Sequence, residues 1–326
     1  MYGSPSLRRL LPLLALVVLG FVLPMLTSQY VLYIGNYLMT FAVLAIGLDL
    51  LLGWAGQFAF AHIAFFGLGA YGTVLLQNRF GMPFVLALPC AALASTLIGM
   101  LLAFPAARLR AVYLALATFA FAEGAQWVFN SWDAVTGGAD GLRIKAPVIF
   151  GYALGTDPAA FPVITLMLAL VLAATLYLTT SKIGRSLCAI RDSEHAATAS
   201  GIDVRATKIV VFAISAAYAG IAGGMFTTYQ SFMNPDNFGF AQIVLVLSMI
   251  VVGGLGTLPG TLIGVVLLGI LPEIMRTAMR SLLIWQELVY GVILVLAMMY
   301  MPRGLWGTFF KPRGAAGMSA ARWRPA

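Results

Sequence analysis

Apolar residues fall in long blocks along this chain, near 10–27, 30–52, 58–77, 82–104, 112–129, 161–180, 209–229, 240–255, 259–279 and 283–301, with polar stretches between them. A helix needs about 20 such residues to cross the hydrocarbon core of a bilayer. Most of the blocks have that length; the eighth is short and glycine-rich. None alternates apolar and polar positions in the manner of barrel strands, and a helix satisfies its backbone hydrogen bonds within its own segment. The expected fold is all-α: a polytopic integral membrane protein of about ten transmembrane helices, falling to about eight if 58–77 or 240–255 is re-entrant.

Composition agrees. Of 326 residues, 61% are hydrophobic and 9% charged, where soluble domains carry about a quarter charged residues. So few polar groups cannot cover so much apolar surface in water. The net charge of +8 does not indicate a nucleic-acid partner, because the basic residues sit in small groups between the blocks, as they do in proteins oriented in membranes. Of 19 Lys and Arg, five (Arg79, Arg143, Lys145, Arg276 and Arg280) fall on one face and leave fourteen on the other. That bias places both termini in the cytoplasm. Residues 1–29 resemble a signal peptide, yet no small-x-small site follows Leu26, so a retained first span is expected. Cys90 and Cys188 offer neither a disulfide framework nor a metal site. The phosphate-cradling Gly-x-x-x-x-Gly-Lys-Ser/Thr does not occur, so any ATP hydrolysis belongs to another subunit.

Two connections are long, 130–160 outside and 181–208 inside, and long ordered loops in a compact domain are usually functional. Both lie within the expected permease domain over 1–307, which is followed by a basic, disordered tail over 308–326. The inside connection reads GRSLCAIRDSEHAATASGI from Gly184 to Ile202. Ala189, Ala196 and Ala197 give it a small-residue face while Arg191, Asp192 and Glu194 are expected to project outward. A short polar helix is not stable alone in water, so a partner is expected to dock on it.

This connection resembles the Glu-Ala-Ala-x-x-x-Gly coupling loop of ABC importer permeases, with His195, Ala196, Ala197 and Gly201 at the matching positions. His195 departs from the motif, and Glu194 stands one place earlier. The wider string, continued by Lys208 and the span FAISAAYAGIAGG, is similar to the branched-chain amino acid permeases of the LivH/LivM group, of LivM type. So are LRAVYLALAT from Leu109, with Glu123 after it, TGGADGL from Thr136, VVGGLGT from Val251, and Pro302-Arg303-Gly304-Leu305. The resemblance covers about residues 35–307. It implies a bacterial inner-membrane importer of leucine, isoleucine and valine. It also implies a sister LivH-type permease, two cytoplasmic ATPases that use ATP and Mg, and a periplasmic binding protein. Arg185, Arg191, Asp192, Glu194, His195, Ala196, Ala197 and Gly201 would then form the ATPase-coupling surface.

Plainer readings stand beside these. Thr136, Gly137, Gly138, Asp140 and Gly141 also suit a simple turn, because glycine supplies positive φ without strain. Gly220, Gly223 and Gly224 suit close helix packing. The order Phe58-Ala-Phe-Ala-His-Ile returns as Phe238-Gly-Phe-Ala-Gln-Ile, each with glycines after it, Gly67, Gly69 and Gly72 in one case and Gly253, Gly254 and Gly256 in the other. Glycine-interrupted helices at matching places often flank a transport site. This echo proposes Phe60, His62, Phe240 and Gln242 around a shared polar cavity, with chance as the alternative. Of the ionisable residues inside spans, Glu123 and His62 are candidates for the substrate pathway, while Asp49 and Glu287 suit capping near helix ends. Rival readings are an importer of the same class for urea, short amides or other amino acids, and an ion-coupled secondary transporter. An intramembrane enzyme would need converging catalytic groups, which the sequence does not supply.

Overall fold

The computed structural model describes residues 7–109, 111–149, 152–278, 286–301 and 304–309. Chain entry, chain end and most of the basic tail therefore lie outside the described residues. The helices are α1 (Leu7–Leu26), α2 (Gln29–Asp49), α3 (His62–Phe80), α4 (Phe84–Ala106), α5 (Ala111–Ser131), α6 (Asp133–Thr136), α7 (Asp157–Thr180), α8 (Lys182–Asp192), α9 (Glu194–Ala199), α10 (Val204–Tyr229), α11 (Phe240–Gly253), α12 (Leu258–Ala278), α13 (Gln286–Tyr300) and α14 (Gly304–Phe309). Each expected span holds one of them, and seven helical stretches are long and apolar enough to cross a membrane by themselves: Gln29–Trp54, Phe84–Ala106, Val112–Ser131, Asp157–Thr180, Val204–Tyr229, Pro235–Gly253 and Leu288–Thr308. The apolar stretches Pro12–Leu26 and Leu258–Glu273 are shorter. Helix α3 carries Gln77, Asn78 and Arg79 in its last turns.

The centre of the bundle is α10, packed along α3 and α4 and also against α2. Small residues make this possible. A Cβ on Gly69 would strike the backbone of Gly220, and one on Gly223 would strike the carbonyl of Phe66, so α3 and α10 touch backbone to backbone. Phe66, Phe226 and Phe238 fill the adjoining space with ring centroids 5.3–6.0 Å apart. At the perimeter the pattern reverses: Leu93, Leu97, Leu101 and Phe104 form an exposed stripe on α4, as expected where the surrounding solvent is lipid.

The glycine cluster of α3 does not unwind its helix as the echo proposed. Gly67, Gly69 and Gly72 lie inside a continuous helix and act as contact points, because neighbouring backbone and side chains fill the space beside them. The second cluster does break the chain. Helix α11 stops at Gly253, and Gly254 and Gly256 adopt φ of 128° and 71° before α12 starts at Leu258. A matching break follows α2, which widens into a π turn over Leu50–Trp54 and is then irregular as far as α3.

The end of the bundle away from α8 and α9 carries two short ladders. Leu142–Arg143 (β1) pairs antiparallel with Phe232–Met233 (β4), and Val148–Ile149 (β2) with Tyr152–Ala153 (β3). The first ladder ties the 130–160 connection to the segment that leads into α11.

Candidate functional site

The 181–208 connection is largely helical. Ser181 caps α8 by accepting from the Ile183 N–H at 3.1 Å, Ser193 caps α9 through the Ala196 N–H at 3.3 Å, and Asp203 caps α10 through the Ala206 N–H at 2.9 Å. Gly184, Leu187 and Ile190 share the buried face of α8. In α9 Ala197 is buried, whereas His195, Ala196 and Gly201 are exposed. Gly201 has φ 79°, and the Ile202 N–H bonds back to the Ala197 carbonyl, so the glycine ends α9 in the left-handed turn typical of helix stops.

Arg191 and Glu194 are exposed as expected, yet each is also bonded to the bundle. Glu194 forms an ion pair with Lys208 of α10 at 2.6 Å, and the Lys208 side chain is only 7% exposed. Arg191 reaches into the bundle, where its Nη1 donates to the Gly53 carbonyl at 2.8 Å. A buried lysine and an unpaired carbonyl of the π turn each need a partner, and the nearby loop charges supply them. Asp192 and Arg185 remain on the exposed side.

Gly53 stands at a junction that the sequence did not assign. The Asp49 carboxylate accepts from the Gly256 N–H at 2.8 Å, which bridges the break after α2 and the break after α11. Asp49 does lie at the end of α2, but its carboxylate makes no cap hydrogen bond to its own helix and instead joins two distant segments. A Cβ on Gly53 would collide with Asp49 and the Gly256 nitrogen, and one on Gly256 would lie 2.9 Å from the Gly53 oxygen and 3.3 Å from Arg191 Nη1. The last turn of α8 is therefore bonded to the point where both irregular segments meet.

The echo residues divide. Phe60 and Phe240 both pack on Phe119 of α5, edge to face, with ring centroids 6.0 and 5.5 Å away. The Phe60 N–H donates to Thr118 Oγ1 at 3.0 Å. Phe60, Phe119, Phe240, Glu123 and Gln126 line a cleft between α5 and α11. As it stands the cleft has no room for a water molecule. His62 is not in it. Its ring is buried between the Leu44 carbonyl (2.8 Å) and Ser215 Oγ (3.0 Å), so it ties α2, α3 and α10 together. Gln242 does not line it either. Both sit two residues beyond the phenylalanines, and in α11 two residues turn the side chain by about half a turn, to another side. Phe119 and Gln126 were missed, although both lie on the helix that carries Glu123.

At the opposite end Thr136 Oγ1 donates to the Phe129 carbonyl at 2.7 Å and accepts from the Gly138 N–H at 3.3 Å. Gly137, Gly138 and Gly141 have φ of 75°, 58° and 71°, and Asp140 is exposed. This is the geometry of the simple turn.

The family described as "Branched-chain amino acid transport system / permease component" matches residues 30–298. The high-affinity branched-chain amino acid transport system permease protein LivM of Escherichia coli (strain K12) is 31% identical over 92% of this chain and 75% of its own length. The ribose import permease protein RbsC of Haemophilus influenzae is 29% identical over 72% of this chain and 70% of its own. The LivH permease of Escherichia coli (strain K12) is 29% identical over 48% of this chain and 50% of its own. No solved structure gives a significant match. With its apolar helices and a match over most of its length, the chain is a multi-pass membrane protein and belongs to this permease family.

Proposed function

We propose that this chain is the LivM-type permease subunit of an ATP-driven importer in the bacterial cytoplasmic membrane, and that it carries branched-chain amino acids delivered by a periplasmic binding protein. Its partners in this reading are a LivH-type sister permease and two cytoplasmic ATPases, which hold ATP and Mg; the chain itself is not an enzyme. The observation that carries the reading is the α8–α9 pair. It is capped, amphipathic and bonded through Arg191 to the junction of the two irregular segments, while Asp192, His195, Ala196 and Gly201 remain exposed for a docking subunit. Movement of an ATPase against that surface would be passed to Gly53 and the breaks behind it.

The family also contains a ribose permease, so membership alone leaves the cargo open. The longer match to LivM favours an amino acid over a sugar, urea or a short amide. The test is uptake of leucine by the complete four-component complex in sealed vesicles. Uptake that requires ATP and the binding protein supports the reading. Uptake that follows an ion gradient without ATP would replace it with the secondary-transporter reading.

A further inference from the structure

We propose that Glu123 and the rings around it form a subsite for the primary ammonium group of the transported solute, which makes the cleft selective for amines with an aliphatic side chain. This inference rests on the importer reading above and names the residue by which the membrane path itself recognises its cargo.

The first observation is depth. At 1.5 Å per residue, Glu123 lies about 18 Å from the Ala111 end of α5 and about 12 Å from the Ser131 end, well within a span of the hydrocarbon core. It is nevertheless exposed on the surface of the chain. A carboxylate is not left facing lipid at that depth; it faces water, another polar group or a ligand.

The second observation is the missing partner. Asp49 takes the Gly256 N–H, both His62 ring nitrogens are engaged, Lys208 is paired with Glu194, and Glu273 accepts from Tyr30. Among the described residues no hydrogen bond or ion pair reaches Glu123. Those four groups have partners within the chain, and among the described residues Glu123 is left for something outside it.

The third observation is what surrounds it. Among the described residues Glu123 is the one ionisable group lining the cleft, together with Phe60, Phe119, Phe240, Ile63 and Ile243. A carboxylate with aromatic faces nearby attracts an ammonium group by charge and by the ring quadrupoles. The isoleucines suit a branched aliphatic chain. Urea and a neutral sugar bring no cation to answer the carboxylate. A weak site suffices, because the binding protein delivers the solute and the path must also release it.

The test is Glu123→Gln and Glu123→Asp in the complete complex, reconstituted in vesicles and supplied with leucine-loaded binding protein. Complex recovery and binding-protein-stimulated ATP hydrolysis are measured beside leucine uptake. Expected for Glu123→Gln are normal recovery, retained ATP hydrolysis and leucine uptake per ATP lower by about tenfold or more, with Glu123→Asp intermediate. Uptake by Glu123→Gln within about twofold of wild type overturns the subsite while leaving the importer reading intact. A Glu123→Gln chain that no longer assembles also overturns it, because the carboxylate would then be a pairing group between subunits. A wild-type complex that carries no leucine overturns the importer reading, and this inference with it.

Discussion

At the α8–α9 connection, the charges that turn toward the bundle find a partner there: Arg191 donates to the Gly53 carbonyl, and Glu194 pairs with the buried Lys208. At the α5–α11 cleft, Glu123 has aromatic rings and an amide for neighbours but no counter-charge among the described residues. Both regions place charge against an apolar body, where an unanswered group is costly. The paired charges fasten the connection to the bundle, to Gly53 and to α10. The unpaired one leaves the cleft incomplete until something binds. Under the proposed function, the contrast separates a part that transmits movement from a part that receives the solute.

The largest expected effect comes from cutting this fastening. Arg191→Ala removes the bond to Gly53 while leaving α8 capped and its buried face intact. Leucine uptake should fall by about tenfold or more, with basal ATP hydrolysis retained in the same vesicles, because a lost charged hydrogen bond is worth about 1.5–3 kcal/mol. Unchanged uptake would show that the Arg191–Gly53 bond transmits nothing. The cleft is then sharpened by thiol access in a background lacking Cys90 and Cys188. Phe240→Cys, at a half-exposed position, should react at least about tenfold faster with a small water-soluble reagent than His62→Cys, which lies sealed between α2 and α10. Equal rates would mean that water reaches the His62 side too.

A smaller effect tests the ion pair. Glu194→Gln leaves Lys208 buried without its counter-charge, whereas Lys208→Met removes the buried charge and leaves Glu194 in solvent. Because the Glu194 side chain is 56% exposed, Glu194→Gln should cost about 1 kcal/mol of stability and Lys208→Met less. Thermal unfolding of the purified complex would check the order. A reversed order would show that Glu194, not Lys208, is the group needing the pair.

Much of this was legible in the sequence because lipid imposes a simple rule, and long apolar blocks became helices where the blocks lay. The turn at Thr136–Gly141 was legible for the same kind of reason, since Gly137, Gly138 and Gly141 take positive φ. The two glycine clusters were not. Gly67, Gly69 and Gly72 have the same composition as Gly253, Gly254 and Gly256, yet one cluster packs closely, Gly67 on Phe129, Gly69 on Gly220 and Gly72 on Ala91, and the other unwinds. Whether a glycine serves close approach or free φ depends on what stands opposite, and that is tertiary information. The echo was legible to the same degree: Phe60 and Phe240 meet at Phe119, while His62 opens α3 and turns into the bundle against Leu44 and Ser215. Asp49 and Arg191 bond to backbone 207 and 138 residues away, and no local pattern marks such partners.

The smallest effect concerns Gly201, and it separates the fastened side of the connection from the surface on which a partner docks. Gly201 holds φ 79° and has no atom within 4 Å of the place a Cβ would occupy. Alanine there meets no clash, so its cost is the backbone strain of a left-handed residue, about 1 kcal/mol. Gly201→Ala should lower the unfolding temperature slightly and leave coupling near wild type. Gly201→Leu carries similar backbone strain and projects more bulk from the same open position. If it abolishes binding-protein-stimulated ATP hydrolysis while its unfolding temperature matches that of Gly201→Ala, the added bulk has met another subunit, and the exposed face of α9 is the contact. If both variants hydrolyse ATP like wild type, Gly201 only ends a helix, and docking must be sought on α8 around Asp192.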